Sequence, residues 1–273
     1  MAQLLERTLG VQARVGLAGH EPNHQALLDG EIDLYADYLG TALRRYLGLT
    51  PRPGAAATYR AVRDAARERW GVEWLPAFGF NNTYAVIVRR HLARIWGLRR
   101  TSDLAHHAAQ LRLGGTAQFL TSDPRLTFAP GGLDGFRGAY DLAFGRAIEL
   151  PAAYGATFDA LGADVVDAVV DFPVNPRLVS LDLVELRDDR RFFAPYFAAP
   201  VLRGAFLAAH PDVRAVLERL AGRIDNRRAA QMNHAVEMEG RQAEAVAADL
   251  LQELNVDSPD AGPGHRASRR RAD

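Results

Sequence analysis

Three tyrosines and an amide pair carry the chemistry this sequence is equipped to do. Tyr38 lies in "GEIDLYADYLGTAL" (30–43), Tyr84 follows Asn81 and Asn82 in "FGFNNTYAVIVRR" (78–90), and Tyr196 lies in "FFAPYFAAPVLR" (192–203). Each flanks a segment that reads as a strand, and Tyr35 and Thr41 accompany the first of them. An isolated half-buried tyrosine is an ordinary packing residue. Aromatic residues flanking strands at several separate places can instead converge. Convergent ring faces attract a quaternary ammonium by roughly 0.5–2 kcal/mol per ring, and by more where water is excluded. Such a cation has no N–H to donate, so ring faces and dispersion are what separate it from lysine or ammonium.

Other chemistries find less support. "HEPNH", His20 to His24, matches the zinc-protease pattern H-E-x-x-H. That pattern needs both imidazoles on one face of a regular helix, with the glutamate beside a metal-bound water. Pro22 lies between them and is tolerated only in a helix's first turn, which would leave His20 at or before the cap. His106 and His107 are adjacent and cannot share a helix face. No glycine-rich phosphate loop and no serine nucleophile elbow is present, and "LRLGGTAQF" is too poor in glycine to cradle a phosphate. Enzyme chemistry has no anchor here, so neither catalytic residues, nor a resident metal, nor a cofactor is expected.

The bulk composition narrows the partners. The 33 basic residues, all arginine, balance 33 acidic ones in 273 residues. A neutral chain has no electrostatic footprint for nucleic acid or an anionic membrane. Cysteine is absent, which excludes disulfides and thiolate chemistry. No apolar run is long enough to span a bilayer. "MAQLLERTLG" lacks the basic and apolar regions of a signal peptide and reads as an amphipathic helix.

The tyrosines must be positioned by an α/β alternation. Strands are expected at 11–15 (VQARV), 32–35, 72–76, 84–88, 111–114, 147–150, 164–170, 183–186 and 199–203. Helices are expected at 21–29, 37–47, 56–70, 91–96, 101–109, 132–141 and 153–161, with two more apolar stripes at 213–224 and 243–254. Such spacing predicts parallel βαβ units in two lobes, with ligands held in a crevice at the strands' carboxyl ends. Residues 257–273, polar and rich in proline and glycine, read as a disordered tail.

The order of "GEIDLYADYLGTAL", "WLPAFGFNNTYAVIVRR", "LDLVELRDDRRFFAPYFAAPVLR" and "MNHAVEMEGRQAEAVAADLLQEL" resembles the substrate-binding proteins of osmoprotectant ABC importers, the glycine betaine/carnitine/choline-binding family. The resemblance runs from about residue 3 to about 254. It implies a two-lobed periplasmic-binding-protein fold of type II that closes on a quaternary ammonium osmolyte. The family's cage carries over to Tyr38 of "DYLGT", Tyr84 of "NNTYA" and Tyr196 of "APYFAAP", with Tyr59 as a further wall. Phe172 in "VDFPVNPR" matches a fourth ring, Thr41 a polar contact to the ligand's hydroxyl or carboxylate end, and Asn82 an amide near the cation.

The same resemblance implies lobe I from 1–85 with 195–256, lobe II from 86–194, permease subunits as partners and a periplasmic or extracellular location. Family members begin with a secretion signal and a strand leading to a loop like G-S-K-N-F-T-E-Q, whereas this sequence opens within the following helix. The family's arginine after an E-F-L-E-like segment is absent from "QFLTSDPR", where Arg125 stands three residues later and choline-like ligands gain weight. Two other readings remain open: a degenerate or regulatory module that keeps the fold without a transport ligand, and zinc hydrolysis through HEPNH.

Overall fold

Apolar residues alternating along strands, or recurring every three or four along helices, must be covered, and the chain covers them around two sheets. The computed structural model describes residues 1–16, 20–49, 54–123 and 129–256; Arg125 and the tail 257–273 lie outside them. The helices are α1 (Ala2–Leu9), α2 (His20–Asp29), α3 (Leu39–Thr41), α4 (Ala55–Trp70), α5 (Arg90–Trp96), α6 (Ala117–Leu120), α7 (Gly132–Tyr140), α8 (Ala156–Gly162), α9 (Arg177–Ser180), α10 (Gly204–Ala209), α11 (Asp212–Glu218), α12 (Asn226–Glu237) and α13 (Ala243–Leu254). The strands are β1 (Leu34–Tyr38), β2 (Val72–Trp74), β3 (Ala85–Arg89), β4 (Arg112–Thr116), β5 (Arg146–Leu150), β6 (Ala168–Asp171), β7 (Leu183–Leu186) and β8 (Ala198–Arg203). None of these helices is long and apolar enough to cross a membrane.

The first sheet runs β1-β8-β2 and the second β5-β4-β6-β3-β7. Parallel pairing, expected throughout, holds only for β4 with β5 and β6. Strands β1 and β2 both run antiparallel to β8, and β3 runs antiparallel to β6 and β7. The reason is the long return of the chain: β8 enters the first sheet from the second, against the direction of β1 and β2. Pro200 sits inside β8, and β2 ends at Trp74, just before the position that would need the N–H that proline lacks.

Local expectations differ in places. Residues 11–16 form no strand, and Val11 and Val15 are exposed; alternation does not make a strand where no neighbour completes the ladder. Strand β1 reaches Tyr38, so Asp37 and Tyr38 are extended rather than helical, and a π-turn over Ala42–Tyr46 follows α3. The segment 101–109 tightens into 3-10 turns.

Each sheet has a core on both faces. Val86, Val88, Ala168 and Val170 face Phe119, Phe136 and Tyr140, while Ile87 and Val169 face Phe158 and Leu161 of α8. On the first sheet, Ala198 and Leu202 meet Leu217, Leu250 and Leu254, and Ala199 and Val201 meet Leu43, Val62 and Trp74. Helix α4 buries Thr58, Val62 and Ala66 along one stripe and stops at Gly71, whose φ of 64° suits glycine.

Asp167 pins the second sheet. It takes hydrogen bonds from the Arg112 side chain at 2.8 and 2.9 Å and from the Arg112 backbone at 2.9 Å, and pairs with Arg89 at 3.1 Å. The Arg112 guanidinium, foremost, holds its carboxyl down at about 2. A depressed carboxylate stabilises the fold above its unfolded value near 4 and loses that contribution as pH falls to about 2. Asp167→Asn is therefore expected to cost about 2 kcal/mol at neutral pH and nothing at the lower limit. Chemical denaturation at both pH values checks this, and an equal loss at both would contradict it.

Candidate functional site

Two segments connect the sheets, 75–84 between β2 and β3 and 187–197 between β7 and β8. They are stitched together where they cross. Asn81 accepts the Tyr196 N–H on Oδ1 at 2.6 Å, its own N–H donates to Asn226 Oδ1 at 2.7 Å, and the Asn82 N–H donates to the Tyr196 carbonyl at 3.1 Å. A bridge pairs Asn81 with Phe197. The amide pair thus fixes the crossing itself.

Rings gather at both ends of this crossing. On the first-sheet side, the Tyr38 and Tyr196 centroids lie 5.4 Å apart at 35°, with Phe80 edge-on to Tyr38 at 6.3 Å. The Tyr196 hydroxyl bonds Thr41 Oγ1 at 2.8 Å, and Asn82 Nδ2 donates to the Tyr38 hydroxyl at 3.4 Å. On the second-sheet side, Tyr84 and Phe172 stack at 4.8 Å and 25°, with Phe193 edge-on to Tyr84 at 6.1 Å. The Tyr84 hydroxyl donates to Gln118 Oε1 at 3.2 Å. Phe193 and Tyr196 belong to the two sets and are three residues apart, so about 10 Å of extended chain at most separates their backbones.

The electrostatics favour neutral rings. Burial raises the phenol of Tyr38 and pushes that of Tyr84 up to about 12, with Asp171 adding to the second shift. Both stay protonated at physiological pH, so they offer ring faces and hydroxyls rather than phenolate charge.

The sequence-predicted residues therefore separate into groups. Tyr38, Thr41, Asn82 and Tyr196 touch one another directly or through one partner. Tyr84 and Phe172 form the second set, in which Tyr84 is only 3 % exposed and Phe172 the more open ring. Tyr59 does not join either set. Its hydroxyl donates to the Trp74 carbonyl at 2.9 Å, and it packs in the core between α4 and β2 under Arg63. In HEPNH, the His20 side chain lies outside the described residues. His24 Nδ1 is 3.2 Å from the Tyr35 hydroxyl and its ring stacks on Tyr46 at 3.9 Å, so burial lowers its pKa.

Gly40 escaped the sequence reading. A Cβ there would overlap Cδ2 and Cε2 of Tyr196, so only glycine lets that ring lie flat against α3. Phe80 and Phe193 were missed as well, although both occupy the motifs that held the named tyrosines. A pocket of about 20 Å³ lies among Gly40, Thr83, Pro195 and Tyr196. A cleft of about 490 Å³ opens nearby, its walls carrying Glu185, Arg187, Asp188, Asp225 and Arg227.

Comparison with known proteins gives the chain's relatives. The glycine-betaine-binding protein of Pseudomonas aeruginosa is 31% identical over 267 residues, covering 96% of this chain and 85% of that one. The carnitine transport binding protein OpuCC of Listeria monocytogenes is 26% identical over 258 residues, covering 93% and 81%. A crystal structure of a glycine betaine/carnitine/choline ABC transporter protein superposes with a TM-score of 0.84 at 25% identity, covering 94% of this chain and 93% of that one. The two-lobed fold is common to them. A family profile matches residues 1–253, and the chain belongs to that family, the substrate-binding domain of ABC-type glycine betaine transport systems.

Proposed function

We propose that this chain is the solute-binding subunit of an ABC importer and captures a quaternary ammonium osmolyte between its lobes. The observation that carries the proposal is the pairing of two aromatic sets, Tyr38–Tyr196 and Tyr84–Phe172, one at each end of a single riveted crossing. Neutral, close-set ring faces suit a cation that cannot donate a hydrogen bond. Thr41 supplies a polar partner for the ligand's hydroxyl or carboxylate end, and Asn82 an amide near the cation. The larger cleft reaches Tyr84, Asn81 and Thr83 as well as its charged walls, so it opens onto the second set of rings.

Lobe I is residues 1–85 with 195–256, and lobe II is 86–194. The mechanism is hinge closure, with the ligand entering between parted lobes and bridging them once they close. Ligand contacts made only in the closed form shift the balance toward it. The closed form is what permease subunits in the cytoplasmic membrane would recognise from its outer side. No step of this function is catalytic.

Calorimetric titration with glycine betaine, choline, carnitine and proline betaine tests the reading. At least one should saturate at one ligand per chain. Heats that stay at the dilution baseline for all four would instead support a binding-protein-like module without a transport ligand.

A further inference from the structure

The same small device stands behind a ring in each lobe. Strand β6 ends at Asp171, and the next residue is Phe172; strand β1 ends at Asp37–Tyr38. Asp171 Oδ1 accepts the N–H of Phe172 at 2.7 Å, and its Oδ2 accepts the hydroxyl of buried Thr157. Asp37 Oδ1 accepts the N–H of Tyr38 at 2.7 Å, and its Oδ2 accepts the hydroxyl of Tyr35 at 2.8 Å. In both lobes a carboxylate at a strand's carboxyl end grips the backbone of the ring residue that follows. The sequence reading named the rings of "ADY" and "VDF" but gave no role to the acidic residue before each.

Asp171 does more than hold a backbone. Register places it opposite Ala85, next to Tyr84 across the ladder. Its negative charge reaches the Tyr84 phenol, whose ionisation it opposes. Burial raises the pKa of Asp171, two hydrogen bonds oppose that rise, and no arginine contributes. A half-buried carboxylate held by neutral donors alone leaves negative potential around the rings beside it. A cation arriving at those rings supplies the missing countercharge, whereas a neutral molecule of the same shape does not.

Building on the proposed function, we infer that Asp171 is a specificity-determining residue: without touching the ligand, it makes the Tyr84–Phe172 wall prefer a positively charged group over a neutral one of equal size. The matching Asp37–Tyr38 unit shows that the strand-end geometry recurs in the other lobe. Electrostatic preference across a layer of rings is reasonable in size, because a unit charge about 8 Å away changes affinity by about twofold in water and about thirtyfold in a partly buried setting, a range that brackets the effect expected here.

The test compares choline with its neutral isostere, in which a quaternary carbon replaces the nitrogen, on wild type and on Asp171→Asn. Asparagine keeps an oxygen for the Phe172 N–H and removes the charge. Choline affinity should fall about five- to tenfold and isostere affinity less than about twofold. Asp171→Glu should restore part of the preference, and Asp171→Ser serves as a second neutral variant if Asp171→Asn unfolds at the assay temperature. Equal losses for both ligands, or no loss for either, would overturn the inference while leaving the functional reading intact. A wild-type protein that binds no quaternary ammonium at all would overturn both.

Discussion

Gly40→Ala should weaken binding of a quaternary ammonium ligand at least tenfold without unfolding the protein. The added methyl group would overlap two ring carbons of Tyr196, and carbon atoms in contact sit about 3.5–4 Å apart. The ring must therefore move by more than an ångström and give up its 2.8 Å hydrogen bond to Thr41. One ring's cation–π attraction and its buried area account for about 1.4 kcal/mol or more, the tenfold expected. Stability should respond little, because alanine within a helix gains about 0.5–1 kcal/mol over glycine and offsets part of the displacement. The double variant Gly40→Ala/Tyr196→Ala should bind no worse than Tyr196→Ala alone, since the two residues act through one contact. Additive losses in titration calorimetry would show that Gly40 acts otherwise.

Tyr84→Ala should be the most damaging substitution in the second set, through two effects that can be measured apart. Tyr84 is 3 % exposed and packs against Phe119, Phe172 and Phe193. Emptying that space should cost about 3–5 kcal/mol of stability, as for other large aromatic-to-alanine changes in a core. Binding should weaken by about 1–3 kcal/mol as well, through the lost ring and a loosened Phe172. Tyr84→Phe separates the terms: it keeps the ring and removes the hydroxyl with its bonds to Gln118 and Thr116, so stability should drop about 1 kcal/mol or more and affinity should hold. A Tyr84→Ala protein that melts like wild type would show that the ring is not the core element its burial indicates.

What was legible in the sequence was mostly local. "LVEL" reads as a strand and forms β7 from Leu183 to Leu186, and the Val62/Ala66 stripe lies buried on α4. The aromatic motifs pointed to Tyr38, Tyr84, Tyr196 and Phe172, and each stands at a strand end or crossing. What stayed hidden was set by distant residues. Strand direction depends on which neighbour arrives, so β8 returning from the other lobe could not be read from either segment. "VQARV" has the right alternation, yet pairing decides strands and residues 11–16 find none. Tyr59 occupies a plausible motif position, but the Trp74 carbonyl claims its hydroxyl. Gly40 is required by a ring contributed from the far end of the chain, and the purpose of Asn81 emerges only when Tyr196 and Asn226 are brought beside it.

The account rests on rings from both lobes surrounding one alkylated nitrogen. The most direct measurement is an intermolecular NOE experiment on the complex with choline or glycine betaine, using the intense N-methyl resonance as the source. Cross-peaks from that resonance to ring protons of Tyr38 and Tyr196 and also to those of Phe172 or Tyr84 are predicted. A saturated complex whose N-methyl protons reach rings of neither set, or of one set alone, would contradict it.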